Sequence, residues 1–436
     1  MAVFEDMEEE RYELIWPGKV AAALGAEGDC GARLASAHGD TSAPSKIQCT
    51  LIQGDNLQAL KLLQETLSDQ VRLIYIDPPY NSGKEYVFSD RFSAGKAAKA
   101  AAGCEKRPSA HRSSRLHAAW LSMIYPRLIL ARRLLRADGA IFISIDDHEA
   151  ARLRLLCDEV FGEGNFVACI VWHRKYTRSN DARHFSVNHD YILVYAKQKR
   201  NLALNPLQRT KLQSGAYSNP DNHPKGPWKP TPLHAKSGRQ KHFTYRFANG
   251  AEWSPPPGTF PRYTAQRLAA LEARNEIWFG VSGRAVPARK SFLCEVKAGL
   301  TPVTIWPHAE VGHTHEANNE LKALGLTGLF QNPKPTRLIR RILELATCSR
   351  RGDLVLDFFA GSGATGQAVI EQNLQDGGNR RVILVQDTVA MAGAGFETIA
   401  DLTRERLRRS IQRGCPAPGD PGNNDAIAVL QVEPLA

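Results

Sequence analysis

The residues best suited to chemistry are four in a row: Asp77, Pro78, Pro79 and Tyr80. A carboxylate, a peptide carbonyl held by proline and an aromatic ring offer two acceptors and a stacking face. That set suits an exocyclic amine on a flat heteroaromatic ring, such as a nucleobase. Such an amine is a poor nucleophile because its lone pair is delocalised into the ring. Hydrogen bonds from it to Asp77 and to the Pro78 carbonyl would favour a pyramidal nitrogen, ready for in-line attack on an electrophilic methyl, with no strong base and no metal required. The plain alternative is an acid that caps a turn at a strand end, and the tetrapeptide alone leaves both readings open. Far downstream, Gly361, Gly363 and Gly366 permit a tight turn and close backbone approach to a ligand. Their spacing also fits a dinucleotide site, so NAD stays open on spacing alone.

Both stretches need strands to position them. Val71–Ile76 is an apolar run that reads as a strand buried on both faces, and the two prolines end it. Residues 353–359 form a second buried strand running straight into the glycines, with a helix from 364 to 374 stopped near Gly377 and Gly378. Ligands bind at the carboxyl edge of an open α/β sheet, so the two strands should lie side by side. Further strands are expected at 47–52, 140–145, 167–172, 191–196 and 381–386, with an edge strand at 426–431. Helices are expected at 57–67, capped by Asp55; at 116–135, bent or restarted at Pro126; from Asp146 to 160; at 336–346, opened by Pro335; and at 396–413. Asp387 follows its strand 24 residues after Gly363, a spacing that fits an acid accepting ribose hydroxyls. Residues 93–114 read as a mobile loop able to order over DNA, and the tail from 414 as loose.

The chain has 436 residues, 43% of them hydrophobic and 23% charged, room for a large catalytic core and one further domain. It contains no apolar run of about 18 residues, and its acidic first ten residues are unlike a secretory leader. Eight cysteines without C-x-x-C pairs suggest neither a zinc site nor a disulfide framework, and point to reduced thiols in the cytoplasm. The net charge of +11 is concentrated in the middle, where residues 171–300 hold 22 Lys and Arg against 7 Asp and Glu. A basic stretch is often a solvated face, but beside a nucleobase pocket it suits phosphates.

These blocks, in this order, resemble DNA amino-methyltransferases, in which Asp-Pro-Pro-Tyr is the catalytic motif and Phe359-Ala360-Gly361-Ser362-Gly363 the S-adenosylmethionine motif. With the catalytic motif first, the chain is similar to the permuted β group, above all to modification (Mod) subunits of type III restriction systems. The resemblance includes Tyr12-Glu13-Leu14-Ile15-Trp16-Pro17-Gly18-Lys19, Gln53-Gly54-Asp55-Asn56-Leu57, Tyr125-Pro126-Arg127-Leu128, Ile141-Phe142-Ile143-Ser144-Ile145-Asp146-Asp147 and Asn332-Pro333-Lys334-Pro335. It implies a Rossmann-like sheet of seven mostly parallel strands, in halves at 46–200 and 330–413. A target-recognition domain at 201–329 is inserted between them, with an arm at 1–45 and a tail at 414–436. It implies catalysis by Asp77, Pro78, Pro79 and Tyr80. S-adenosylmethionine would be held by Asp55, Lys334, Pro335, Asp357, Phe359, Ala360, Gly361, Ser362, Gly363 and Asp387, with Lys334 near the methionine carboxylate. After its Val-Gln the family usually has Leu-Pro-Glu, where this chain has Asp387-Thr388-Val389. The implied substrate is adenine N6 in double-stranded DNA, with cytosine N4 as the alternative. A homodimer and a restriction (Res) subunit are the implied partners. A catalytically weak recognition subunit is the remaining reading.

Overall fold

A computed structural model describes residues 13–36, 49–82, 109–209, 215–296, 299–391, 395–414 and 427–435, with backbone alone for 109–115. The acidic start, most of the expected 93–114 loop and most of the tail lie outside these residues. The chain forms two compact units, Pro206–Pro302 and the remainder.

The larger unit is built on a ten-stranded sheet. Its strands are β1 (Ala32–Ser36), β2 (Cys49–Gln53), β3 (Val71–Ile76), β4 (Leu135–Ile145), β5 (Phe166–His173), β6 (His189–Ala196), β7 (Ile305–Trp306), β8 (Leu354–Asp357), β9 (Arg381–Gln386) and β10 (Ile427–Pro434). They lie in the order β1-β10-β2-β9-β8-β3-β4-β6-β5-β7. The run from β10 to β4 is parallel, and β6 is antiparallel to both neighbours. Seven strands is therefore too few. The central seven are those expected from apolar runs; β10 pairs parallel with β2, β1 closes that edge, and the two-residue β7 closes the other. The two-residue β7 is too short to show alternation, and β1, Ala-Arg-Leu-Ala-Ser, carries no apolar run.

Every residue of β3 and β8 is buried, which is what continuous apolar runs in a parallel sheet require. Helices α1 (Lys19–Glu27), α2 (Asn56–Leu67) and α4 (Ala150–Phe161) pack on the long α3 (Ser109–Leu134). Their core takes in Ile74 and Ile76 of β3. Alternation along the strand points Leu73 and Tyr75 the other way, and α6 (Thr336–Ala346) packs on β3 and β4. Behind α6 stand α7 (Ala364–Asp376) and α8 (Ile399–Gly414), while α5 (Thr314–Ala323) precedes it in the chain. Pro126 neither ends nor restarts α3, which runs unbroken through it, with Trp120, Ile124, Leu128 and Ala131 buried along one side. The described part of the arm, residues 13–36, is anchored through Trp16, which is buried against Tyr125 at 5.4 Å and donates to Ser122 Oγ at 2.9 Å.

The smaller unit has its own core of Leu233, Phe247, Trp253, Leu268, Leu271 and Ile277. It contains three short antiparallel sheets and the helix Ala265–Ala273, whose first turn is capped by Thr264. Some of its cations are structural. Lys290 is buried between the Trp228 and Trp278 rings and paired with Asp221.

Candidate active site

The β3–β8 pairing brings the two motifs together. Leu356 lies opposite Ile74, so Asp77 and Phe359 leave the same edge of the sheet on neighbouring strands. A cleft of about 710 Å³ opens there. It is lined by Asp77, Pro78, Pro79 and Tyr80 on one side and by Asp357, Phe359, Ala360, Gly361 and Ser362 on the other, with Asp55, Lys334 and Asp387 around them. Pro335 and Gly363, expected at the site, do not line it. Pro335 is the N-cap of α6, and Gly363, at φ 81°, turns the chain into α7.

Asp77 is clasped by Lys334, whose Nζ lies 2.6 Å from both carboxylate oxygens. The same ammonium stands 5.0 Å from the centre of the Tyr80 ring. Trp120 Nε1 donates to the Pro79 carbonyl at 2.7 Å, fixing the proline turn from below. At its exit Asn81, in the left-handed region at φ 58°, donates to the fully buried Glu149 at 2.6 Å. Tyr80 donates to Asp190 at 3.5 Å, and burial together with the Asp77 charge raises its hydroxyl well above the ordinary range. Burial pushes Asp190 up to about 6, against the attraction of Lys334 and of Arg174, whose Nε is 2.8 Å away. Asp77, Pro78 and Tyr80 thus line one pocket.

The glycine turn is held just as firmly. Asp357 accepts from Thr365 Oγ1 at 2.5 Å and from the Phe359 amide at 3.0 Å, and burial pushes its carboxyl up to about 7. Gly361 donates its amide to Gln386 at 2.6 Å and accepts from Thr403 at 2.6 Å. A side chain is excluded at Gly361 because its φ of 52° is left-handed and a Cβ would meet the Phe330 ring at 3.0 Å. Arg406, wholly buried, donates to Ser362 Oγ at 2.7 Å. Asp55 caps α2 through the Gln58 amide at 2.9 Å and meets Arg127 at 3.4 Å, so its capping role is real and its second oxygen faces the cleft cation. Asp387 is exposed at the rim.

Trp172, Arg174 and Phe330 line the cleft without having been singled out from sequence, whereas Asn56 and Arg127 stand in blocks named there. Asn56 donates to the Phe358 carbonyl at 2.7 Å and accepts from Arg127 at 2.6 Å, tying α2 and α3 to β8. Asp190 and Arg174 flank the loop between β5 and β6, and a signal existed in Asp190, an acid inside an apolar strand. At the start of α6 one amide is already taken: Glu320 accepts from Thr336 N at 3.1 Å. Burial holds Glu320 up to about 7 despite nearby Arg406. Among the described residues no group of three or more His, Cys, Asp or Glu is placed to share a metal ion.

Residues 71–385 match the model of the N6/N4 DNA methylase family. The chain belongs to that family. Among its relatives, the StyLTI Mod subunit of a type III restriction-modification enzyme from Salmonella typhimurium is 37% identical over 82% of this chain and 56% of its own length. The EcoPI Mod subunit of Escherichia phage P1 is 32% identical over 94% of this chain and 69% of its own, and the EcoP15I Mod subunit of Escherichia coli is 32% identical over 94% and 70%. The chain thus spans about half the StyLTI subunit and more than two thirds of the other two. Among solved methylase structures, the PvuII DNA methyltransferase (cytosine-N4-specific) shares 12% identity at a TM-score of 0.40, over 85% of this chain and 96% of its own. Apart from residues 12–19, the family blocks named from sequence place residues on the cleft: Asp55, Asp77, Lys334 and Gly361 all line it. No helix among the described residues is long and apolar enough to cross a membrane.

Proposed function

We propose that this methylase moves a methyl group from S-adenosylmethionine to the N6 amine of an adenine flipped out of duplex DNA. The observation that carries this reading is the meeting of Asp77 and the Gly361 turn on adjacent strands over one cleft. The chemistry of the donors supports it. S-adenosylmethionine, when bound, supplies an electrophilic methyl on a sulfonium. Asp77 and the Pro78 carbonyl accept from the amine and orient its lone pair, and Tyr80 stacks on the base. The Asp77 carboxylate would stabilise the positive charge that grows on the amine as it takes the methyl, before the extra proton leaves to water. Phe359, Ala360, Gly361, Ser362 and Asp357, with Gly363 and Pro335 as hinges of their helices, shape the cofactor side, and Asp55 and Asp387 serve its adenosine end. Lys334 serves the methionine carboxylate as well as Asp77.

Aspartate at the head of the motif supports adenine, since Ser-Pro-Pro more often accompanies cytosine N4. Residues 206–302 hold 15 Lys and Arg against 5 Asp and Glu, which supports target recognition by the smaller unit, whose exposed cations suit phosphates. Kinship with Mod subunits supports a cytoplasmic homodimer working beside a restriction subunit. The test is expression in a methylation-free host, followed by sequencing that reports modified bases. N6-methyladenine in one short motif is expected; N4-methylcytosine would replace the substrate, and an unmodified genome with intact protein present would refute the activity.

A further inference from the structure

The loop 174–188 leaves β5 at the cleft and returns into β6. Its neck is closed by the Arg174 and Lys175 amides donating to the Asn188 carbonyl at 3.0 and 3.3 Å. Its interior is knitted by side chains: the Ser179 amide donates to Ser186 Oγ at 2.9 Å, and that hydroxyl donates to Asn188 at 2.6 Å. Lys175 Nζ donates to Ser179 Oγ at 2.6 Å. A loop so held has the means to bury its apolar residues, yet Phe185 is 90% exposed. Two residues on, Val187 lines the cleft, as does Arg174 at the neck. The loop carries Arg174, Lys175, Arg178 and Arg183 against Asp181 alone. Tyr176 of the same loop is held against His308 and His313, with centroids 5.7 and 5.2 Å away.

We propose that Phe185 is the wedge that enters the DNA stack where the target base leaves it, with the exposed Arg178 and Arg183 of the loop gripping the phosphates on either side. This rests on the reading of the cleft as the pocket of an extruded base. Proteins that open a duplex insert apolar side chains between base steps, and an apolar ring displayed on a basic rim beside such a pocket has the shape and surroundings for it. Phe185 touches neither the reacting amine nor the methyl donor, so it acts on the opening step and not on the transfer.

The experiment compares the full-length parent with Phe185→Ala and Phe185→Trp on two oligonucleotide duplexes carrying the sequence the parent methylates. In one the target base is paired; in the other it faces an abasic site, where extrusion is already cheap. Phe185→Ala is expected to methylate the paired duplex at least about tenfold more slowly, to match the parent on the abasic one, and to bind S-adenosylmethionine like the parent. Phe185→Trp should restore the paired rate. Equal rates on the paired duplex, or an equal loss on both duplexes, would overturn the wedge. So would an unchanged paired rate with altered subunit association, which would make Phe185 a protein contact. A parent inactive on all DNA would instead refute the methylase reading itself.

Discussion

At the scale of single residues, the Asp77–Lys334 clasp is the most informative contact. From sequence, Lys334 belonged to the cofactor; in the structure its ammonium holds the Asp77 carboxylate, the proposed catalytic group, by two 2.6 Å bonds. If it also meets the methionine carboxylate, Lys334→Met should weaken S-adenosylmethionine binding by about tenfold to a hundredfold, the worth of one charge-assisted hydrogen bond, with DNA affinity little changed. Isothermal calorimetry on both ligands reads this. Tyr80→Ala should weaken capture of the extruded base by roughly 1 to 3 kcal/mol, visible as lost fluorescence of 2-aminopurine at the target position. Asp77, Pro78, Pro79, Tyr80 and the Gly361 turn were legible because proline and glycine interrupt apolar runs. Trp172 and Phe330 were not, because only packing brings them to the cleft.

The elements explain why the site is stable enough to hold such pairs. Strand β9 and helix α6 match their expected limits, because unbroken apolar runs and a helical stripe are the strongest local signals. Short β1 and β7, and the uninterrupted α3, are products of tertiary packing. The third glycine of the turn region serves packing too: a Cβ at Gly366 would come within 2.3 Å of Leu407 and 2.9 Å of Leu384. Gly366→Ala should cost about 1 to 3 kcal/mol by overpacking α7 against α8 and β9, measured by denaturant unfolding. The buried acids make a pH prediction of definite sign. Asp357 and Glu320 sit at about 7 in the fold, above their ordinary ranges near 3.8 and 4.5, so the folded state holds their protons more tightly. Their contribution to stability is full at low pH, falls as pH rises towards 7 and is flat beyond. Asp357→Asn keeps an acceptor for Thr365 and removes the charge. Its stability relative to the parent should therefore rise with pH up to about 7 and then level, in unfolding curves from pH 5 to 8.

For the whole molecule, the division of labour follows the charge. The basic surplus lies in residues 171–300, most of it in the smaller unit, whereas the catalytic core is close to balanced. Affinity for DNA should then fall steeply with salt, and replacing an exposed pair such as Arg239→Gln and Lys241→Gln should reduce the slope of log K against log salt by about one for each phosphate no longer neutralised. Binding of S-adenosylmethionine should not change. The smaller unit was legible as a basic, proline-rich insertion, but its interior was not: Lys290 and Trp228 belong to its basic and aromatic complement, yet both are core residues.

The most direct test of the account is Asp77→Ala, followed by single-turnover transfer of a tritiated methyl to DNA alongside calorimetry with S-adenosylmethionine. The account predicts transfer slower by at least about a hundredfold, with cofactor and DNA binding largely intact, since the loss falls on the reacting amine. Transfer at the parent rate would contradict it.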